Sequence, residues 1–242
     1  LTALSFKVLK ISAEFLTSSA LVLIICFAKM LGGIVPLVAK KIGAENKIKA
    51  SKVLDKLHLE KNKYILLSAH REENIDTDEN FFSLFNSINK LAEIYDMPIL
   101  YSCHPRSKKK LIEKNFKLDD RVIMHEPLGF SDYNNLQMNS FATVSDSGTL
   151  PEESSFYASI GSPIAAVCIR TSTERPEALE DACFTLAGIT EKSLLQAVEV
   201  SVNSKDSCSP VRNYTDINVS DKVVKIIQSY TGIVNKMVWR KN

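Results

Sequence analysis

The alternation of short apolar runs with amphipathic stretches constrains this chain most. Tyr64–Leu67, Pro98–Tyr101, Arg121–Met124, Phe141–Val144 and Ile164–Ile169 are short, apolar and β-prone, and each is followed by a polar cluster. Between and after them lie helical stretches at Ile48–Leu57, Asn80–Tyr95, Lys108–Lys114, Ser131–Met138 and Glu191–Val200. In the second of these, Phe82, Phe85, Ile88, Leu91, Ala92 and Tyr95 recur at helical spacing. Ala44–Ile48 reads as a polar connector, and Asp221–Trp239 as a last amphipathic helix that should lie on something. Strand and helix taking turns in this way is the rhythm of right-handed βαβ units in a parallel, doubly wound α/β sheet. In such sheets the ligand crevice lies outside the carboxyl ends of the strands, where every one of these polar clusters falls.

The most specific cluster is Ser145-Asp146-Ser147-Gly148-Thr149-Leu150-Pro151-Glu152-Glu153-Ser154. A strand enters it, Pro151 suits the first turn of a helix, and the two glutamates suit the positive end of the helix dipole. Backbone N–H groups at such a helix start attract anions, and Gly148 lets a phosphate or sugar approach the main chain. The glutamates add acceptors for sugar hydroxyls. Neither a Gly-x-Ser-x-Gly elbow nor a complete phosphate-loop consensus is present.

His70-Arg71-Glu72-Glu73-Asn74 sets an imidazole beside a guanidinium at a strand end, a pairing suited to phosphate; a solvated loop would read the same. His104-Pro105-Arg106 is a weaker signal, since a His before Pro also serves as a plain cap. Lys108-Lys109-Lys110 reads as a solvated face. Gly129-Phe130 with Tyr133 offers a ring to stack on a base, against the alternative that Phe130 is core. Thr173-Glu174-Arg175-Pro176-Glu177 puts Arg175 within reach of a diphosphate, although a surface ion-pair cluster has the same composition.

Bulk properties exclude more than they assign. A net charge of +2 gives no footprint for nucleic acid or an acidic membrane, and 242 residues allow one large domain or two small ones. Five cysteines without paired spacing argue against a disulfide framework and for a reducing cytoplasm. Cys103, beside His104, is the thiol singled out for labelling. The four histidines are too scattered to ligate a metal. No metal or cofactor is expected.

Residues 1–46 differ from the rest. The run from Leu16 to Val38 is apolar but holds a lysine, two glycines and a proline, so it suits a buried helix or a domain remnant better than a membrane span. No charged leader and cleavage site line up in it.

Taken together, His70–Asn74, His104-Pro105, Pro127–Phe130, Ser145–Gly148 with Glu152-Glu153, and Thr173–Glu177 resemble the non-hydrolysing UDP-N-acetylglucosamine 2-epimerases, in order and spacing, from about Lys47 onward. Thr149, where a second Gly is usual, and the ending through Val211–Tyr214 to Trp239 resemble the capsule and O-antigen branch that makes UDP-N-acetyl-L-fucosamine. The resemblance implies a GT-B architecture of two Rossmann-like domains. Residues 47–242 would be the UDP-binding domain, and 1–46 a remnant or replacement of the first. It implies a UDP-N-acetyl amino sugar as substrate, epimerised at C2 by loss and re-addition of UDP, in the cytoplasm, by a homodimer. Phe130 then lies at the uracil, Ser147, Gly148 and Glu153 hold the diphosphate and ribose, and His70 and Arg175 steady the departing UDP. Arg71 and His104 resemble positions at a second, regulatory substrate site. The family's first domain, with its Gly-Thr-Arg-Pro-Glu loop and its acids for the C2 proton, has no counterpart in Leu1–Ile42. That leaves open a truncated chain, an inactive nucleotide-sugar-binding remnant, or a split enzyme whose other half is a separate polypeptide. Half of a GT-B glycosyltransferase is the remaining alternative.

Overall fold

The computed structural model describes residues 44–214 and 219–240. Ala44–Thr215 forms one compact unit. It opens with two short helices, α1 (Ala44–Lys49) and α2 (Val53–Leu57). The connector and single helix expected here are thus replaced by two helices, and Ser51 explains the break. Its hydroxyl donates to Asp132 and accepts the backbone N–H of Val53, ending one helix and starting the next.

There follow β1 (Ile65–Ser68), α3 (Glu72–Ile75), α4 (Asp78–Tyr95), β2 (Ile99–Ser102), α5 (Pro105–Glu113), β3 (Val122–His125), α6 (Phe130–Asn139) and β4 (Ala142–Ser145). The unit continues with α7 (Leu150–Ser159), β5 (Ala166–Cys168), α8 (Pro176–Glu180), β6 (Thr185–Leu186) and α9 (Glu191–Ser204), and ends in two 3₁₀ turns, Lys205–Ser207 and Arg212–Tyr214. The six strands form one parallel sheet in the order β3-β2-β1-β4-β5-β6. This is the doubly wound, Rossmann-like order, with its switch point between β1 and β4. The sequence pattern does not disclose β6, which is only two residues long, or α8, where Pro176 starts the helix.

Period-two alternation sorts the strand residues between the two faces. Ile65 and Leu67 of β1, with Ile99 and Tyr101 of β2, pack with Phe81, Leu84, Phe85, Ile88 and Leu91 of α4 and Leu194 and Val198 of α9. Leu66 and Leu100 pack with Val53 and Leu136 in a second core cluster. Ala166 and Cys168 of β5 join Leu150, Tyr157 and Phe184 in a third. The buried face of α4 is displaced slightly from the expected one: Phe81 is buried where Phe82 is 39% exposed. Thr77 accepts the N–H of Asn80 and caps α4, which therefore starts earlier than its apolar spacing suggests.

Outside this unit, α10 (Val219–Met237) is an amphipathic helix whose Ile226, Tyr230, Ile233 and Met237 are exposed. Among the described residues no helix is long and apolar enough to cross a membrane. The apolar run from Leu16 to Val38 lies outside the described residues.

The thiols correct one expectation. Cys103 is 5% exposed and burial pushes its thiol up, so it is a poor nucleophile. Cys208 is only half-buried, lies 3.0 Å from the Cys183 sulfur, and is shifted down by that contact. Alkylation with a small iodoacetamide reagent, mapped by mass spectrometry, should therefore modify Cys208 well before Cys103. Capping predicts that Thr77→Ala costs about 1 kcal/mol in urea unfolding.

Candidate functional site

The switch point places the most specific cluster beside the His-Arg pair. Ser68 and Ser145 are register partners at the carboxyl ends of β1 and β4, so the chain leaves both strands side by side. The next residues are bound together through Asp146, whose side chain is fully buried. Its Oδ2 accepts the backbone N–H groups of His70 (2.7 Å) and Arg71 (2.8 Å), with the Asn74 amide farther off at 3.4 Å. Its Oδ1 is buried without a regular hydrogen bond and lies 3.1 Å from His70 Nδ1. The Arg71 Nε donates to the Asp146 carbonyl at 2.8 Å. Asn74 closes the arrangement by donating to the carbonyl of Ile169, just past β5.

Burial alone would raise the Asp146 carboxyl, but the hydrogen bonds from His70 and Arg71 outweigh it and hold the group below its ordinary range. The His70 imidazole is raised, chiefly by its hydrogen bond to Asp146, against opposition from partial burial and from Arg71.

Beyond Asp146, Ser145 accepts the N–H of Ser147 and tightens the turn. Gly148 leaves room for Arg71: a Cβ there would come within 3.3 Å of the guanidinium, which would have to shift by a few tenths of an ångström. The Ser147 and Thr149 hydroxyls are hydrogen-bonded, and Thr149 donates to Glu153 Oε1 at 2.8 Å. Glu153 Oε2 accepts from Gln137 Nε2 at 2.7 Å, and Gln137 in turn accepts from the buried Tyr157 hydroxyl. A polar relay thus joins α6 to the start of α7.

Glu152, one residue earlier, pairs with Arg175 Nε at 2.6 Å, and its other oxygen is buried without a donor. Arg175 also donates to the carbonyl of Glu174. Glu174 itself binds the buried Arg170 through both oxygens, which holds its carboxyl down at about 2. Glu177 accepts from Tyr214.

His70, Arg71, Ser147, Gly148 and Arg175 therefore lie in the connections that follow β1, β4 and β5, and Glu153 lies in the first turn of α7. Phe130 opens α6 after β3, at the same end of the sheet; it is 63% exposed, so it is not core. Gly129, rather than Ser131, is the residue before the first helical turn. His104 caps α5 by accepting the N–H of Arg106, and its ring centroid is 6.0 Å from that of His70. With Arg71, Glu72, Glu73 and Arg106, the two histidines line a cavity of about 460 Å³. Lys110, expected on a solvated face, instead reaches the Ile75 carbonyl and Asp76.

Sequence reasoning assigned no role to Asp146, Gln137 or Arg170. Gln137 carried a usable signal, as a polar residue one position past Leu136 in a helix that packs on the sheet. Arg170 also stands directly after a strand.

Fold and site together define a Rossmann-like α/β unit with a polar crevice at its switch point. Within that class the chain belongs to the UDP-N-acetylglucosamine 2-epimerase family, whose sequence profile matches residues 33–228. The UDP-N-acetylglucosamine 2-epimerase of Methanocaldococcus jannaschii is 34% identical over 146 residues, 59% of this chain and 38% of that protein. The Bacillus subtilis enzyme of the same name is 31% identical over 177 residues, 71% of this chain and 45% of that one. Among solved structures, the Rickettsia bellii UDP-N-acetylglucosamine 2-epimerase superposes with a TM-score of 0.65 at 34% identity, covering 85% of this chain and 54% of the other. The Methanocaldococcus jannaschii enzyme in complex with UDP-GlcNAc and UDP gives 0.63 at 26% identity, covering 76% and 50%. The chain thus spans less than half the length of these curated relatives.

Two outcomes follow from the Asp146 centre. Asp146→Ala strips the acceptor from two backbone N–H groups and should cost about 3 kcal/mol in urea unfolding. Because the folded His70 value is raised, its pairing contributes stability that is complete below pH 6.5 and is lost as pH rises through the native value. Wild-type protein should lose more stability between about pH 6 and about pH 8 than His70→Gln does.

Proposed function

We propose that this chain binds a UDP-N-acetyl amino sugar at the β1–β4 switch point and takes part in its epimerisation at C2, by loss of UDP and its return. The observation that carries the reading is the hydrogen-bonded convergence of His70, Arg71 and the Ser145–Gly148 turn on Asp146. It gives an imidazole, a guanidinium and a helix N-terminus a common crevice, which is chemistry suited to a diphosphate. In this reading residues 47–242 are the UDP-binding part. Phe130 stacks on the uracil, Ser147 and Gly148 meet the diphosphate, and Glu153 takes the ribose hydroxyls. His70 and Arg175 stabilise the charge that develops on departing UDP.

The similar Methanocaldococcus jannaschii enzyme was solved with UDP-GlcNAc and UDP bound, which supports UDP-GlcNAc as the reference substrate. Thr149 supports the finer reading, UDP-2-acetamido-2,6-dideoxy-L-talose going to UDP-N-acetyl-L-fucosamine for capsule or O-antigen in the cytoplasm. The cavity shared by Arg71 and His104 supports a regulatory second site. Homodimers and a separate polypeptide carrying the first domain belong to the same proposal.

Calorimetry with UDP and with UDP-GlcNAc, followed by NMR of the sugar in deuterated water, tests the reading in two stages. UDP should bind, and Glu153→Ala should weaken it at least about tenfold, or 1.4 kcal/mol. C2 inversion with deuterium incorporation establishes epimerisation. Binding without exchange by folded protein favours the second reading, a nucleotide-sugar-binding chain that turns nothing over on its own; its share of the relatives' length makes that arm necessary.

A further inference from the structure

We propose that Asp146 is the positioning residue for His70: its buried carboxylate holds the proton on Nδ1 and so makes Nε2 the nitrogen that meets the diphosphate. The inference deepens the proposed function and rests on His70 facing UDP. It starts from how the two carboxylate oxygens are used. Oδ2 is committed to the backbone N–H groups of His70 and Arg71. Oδ1 is buried, makes no regular hydrogen bond, and lies 3.1 Å from His70 Nδ1, the ring nitrogen placed to satisfy it.

A buried carboxylate oxygen without a donor is costly, and a bare Nδ1 lone pair facing it would be repulsive. The neutral imidazole therefore carries its hydrogen on Nδ1. The imidazolium carries hydrogens on both nitrogens, so the proton that comes and goes is the one on Nε2. The same logic orients the imidazole in acid–base triads, where a buried carboxylate selects the tautomer.

Nε2 has no hydrogen-bond partner among the described residues. When protonated, it can donate to the diphosphate as the C1–O bond to UDP breaks, and again as UDP returns. The charged groups around the ring set how readily it does so. Asp146 favours the proton from the turn after β4, while Arg71 on the ring's own loop opposes it. His104 lies at the start of α5, with its centroid 6.0 Å from that of His70, and Arg106, Glu72 and Glu73 line the same cavity.

Asp146→Asn separates this role from simple support. The two backbone N–H groups keep an acceptor in the amide oxygen. The amide NH₂ then falls where Oδ1 was and donates to Nδ1, which drives the neutral ring to the Nε2–H tautomer.

Long-range ¹H–¹⁵N spectra of the uniformly labelled full chain, with His70 assigned through His70→Gln, read both effects. Wild-type neutral His70 should show a protonated Nδ1 and a bare Nε2, with a titration midpoint above 6.5. Asp146→Asn should lower that midpoint and exchange the two nitrogen signatures. A wild-type Nε2–H tautomer overturns the proposal even if the variant does not fold. Unchanged tautomer and midpoint in folded Asp146→Asn overturn it as well. Added UDP should perturb the Nε2 signal selectively. No perturbation overturns the diphosphate contact and the ligand site of the proposed function, while the tautomer result still decides the role of Asp146.

Discussion

A buried carboxylate between two diverging loops organises this end of the molecule. At the switch point the chain leaves β1 and β4 toward opposite faces of the sheet, and past the last main-chain bond, Asp146 N–H to the Ser68 carbonyl at 3.1 Å, something must hold the two exits together. Asp146 does so by accepting the main-chain N–H groups of His70 and Arg71, while its own carbonyl takes the Arg71 guanidinium. Removing a carboxylate from water is tolerable only with this many donors, and breaking such an arrangement leaves charge and amides stranded. The two main-chain donors do not titrate, so the carboxylate stays ionised over the working pH range. His70 is the titratable member of the arrangement, and its proton is the variable one.

Three of the cations around the crevice are already paired with carboxylates. Arg175 rests on Glu152, Arg170 on Glu174 and Glu73, and Arg106 on Glu72 and Asp76. Several of these carboxylates are well exposed, and exposed pairs are worth at most about 1 kcal/mol. Under the proposed function a diphosphate would displace the exposed Glu72 and Asp76 at little cost, whereas Glu152, mostly buried, and the Asp146 arrangement would resist exchange. The crevice thus combines a rigid floor with a rim of exchangeable ion pairs. Glu153 belongs to the floor, since the relay through Gln137 to Tyr157 fixes its orientation from below.

Much of this was legible in the sequence because parallel sheets write themselves as apolar runs ending in polar clusters. Five of the six strands and the helices that cross between them could be read that way; β6 is too short to leave a periodic signal. The membership of the rim was legible for the same reason, since His70, Ser147 and Arg175 each follow a strand. The pairing within the rim was not. Nothing in a linear pattern says that Asp146 turns inward to meet residues 75 and 76 positions earlier, or that Arg175 faces Glu152. Side-chain direction at a turn depends on register between strands, and that register is a property of the folded sheet. The break at Ser51 escaped for a related reason, because its hydroxyl partner Asp132 lies 81 positions away.

The same pairings bear on how the chemistry is divided. Inversion at C2 needs a carboxylate basic enough to move a carbon-bound proton, as well as donors for the departing UDP. Glu174 is a poor candidate for the first task. Glu153 accepts from Thr149 and Gln137, Glu152 from Arg175, and Glu174 is held at about 2 by Arg170. Glu174, stabilised as the anion, is thereby a weak base. His70 and the exchangeable cations suit the second task. Under the proposed function, His70 and these cations would serve the leaving-group side of the reaction.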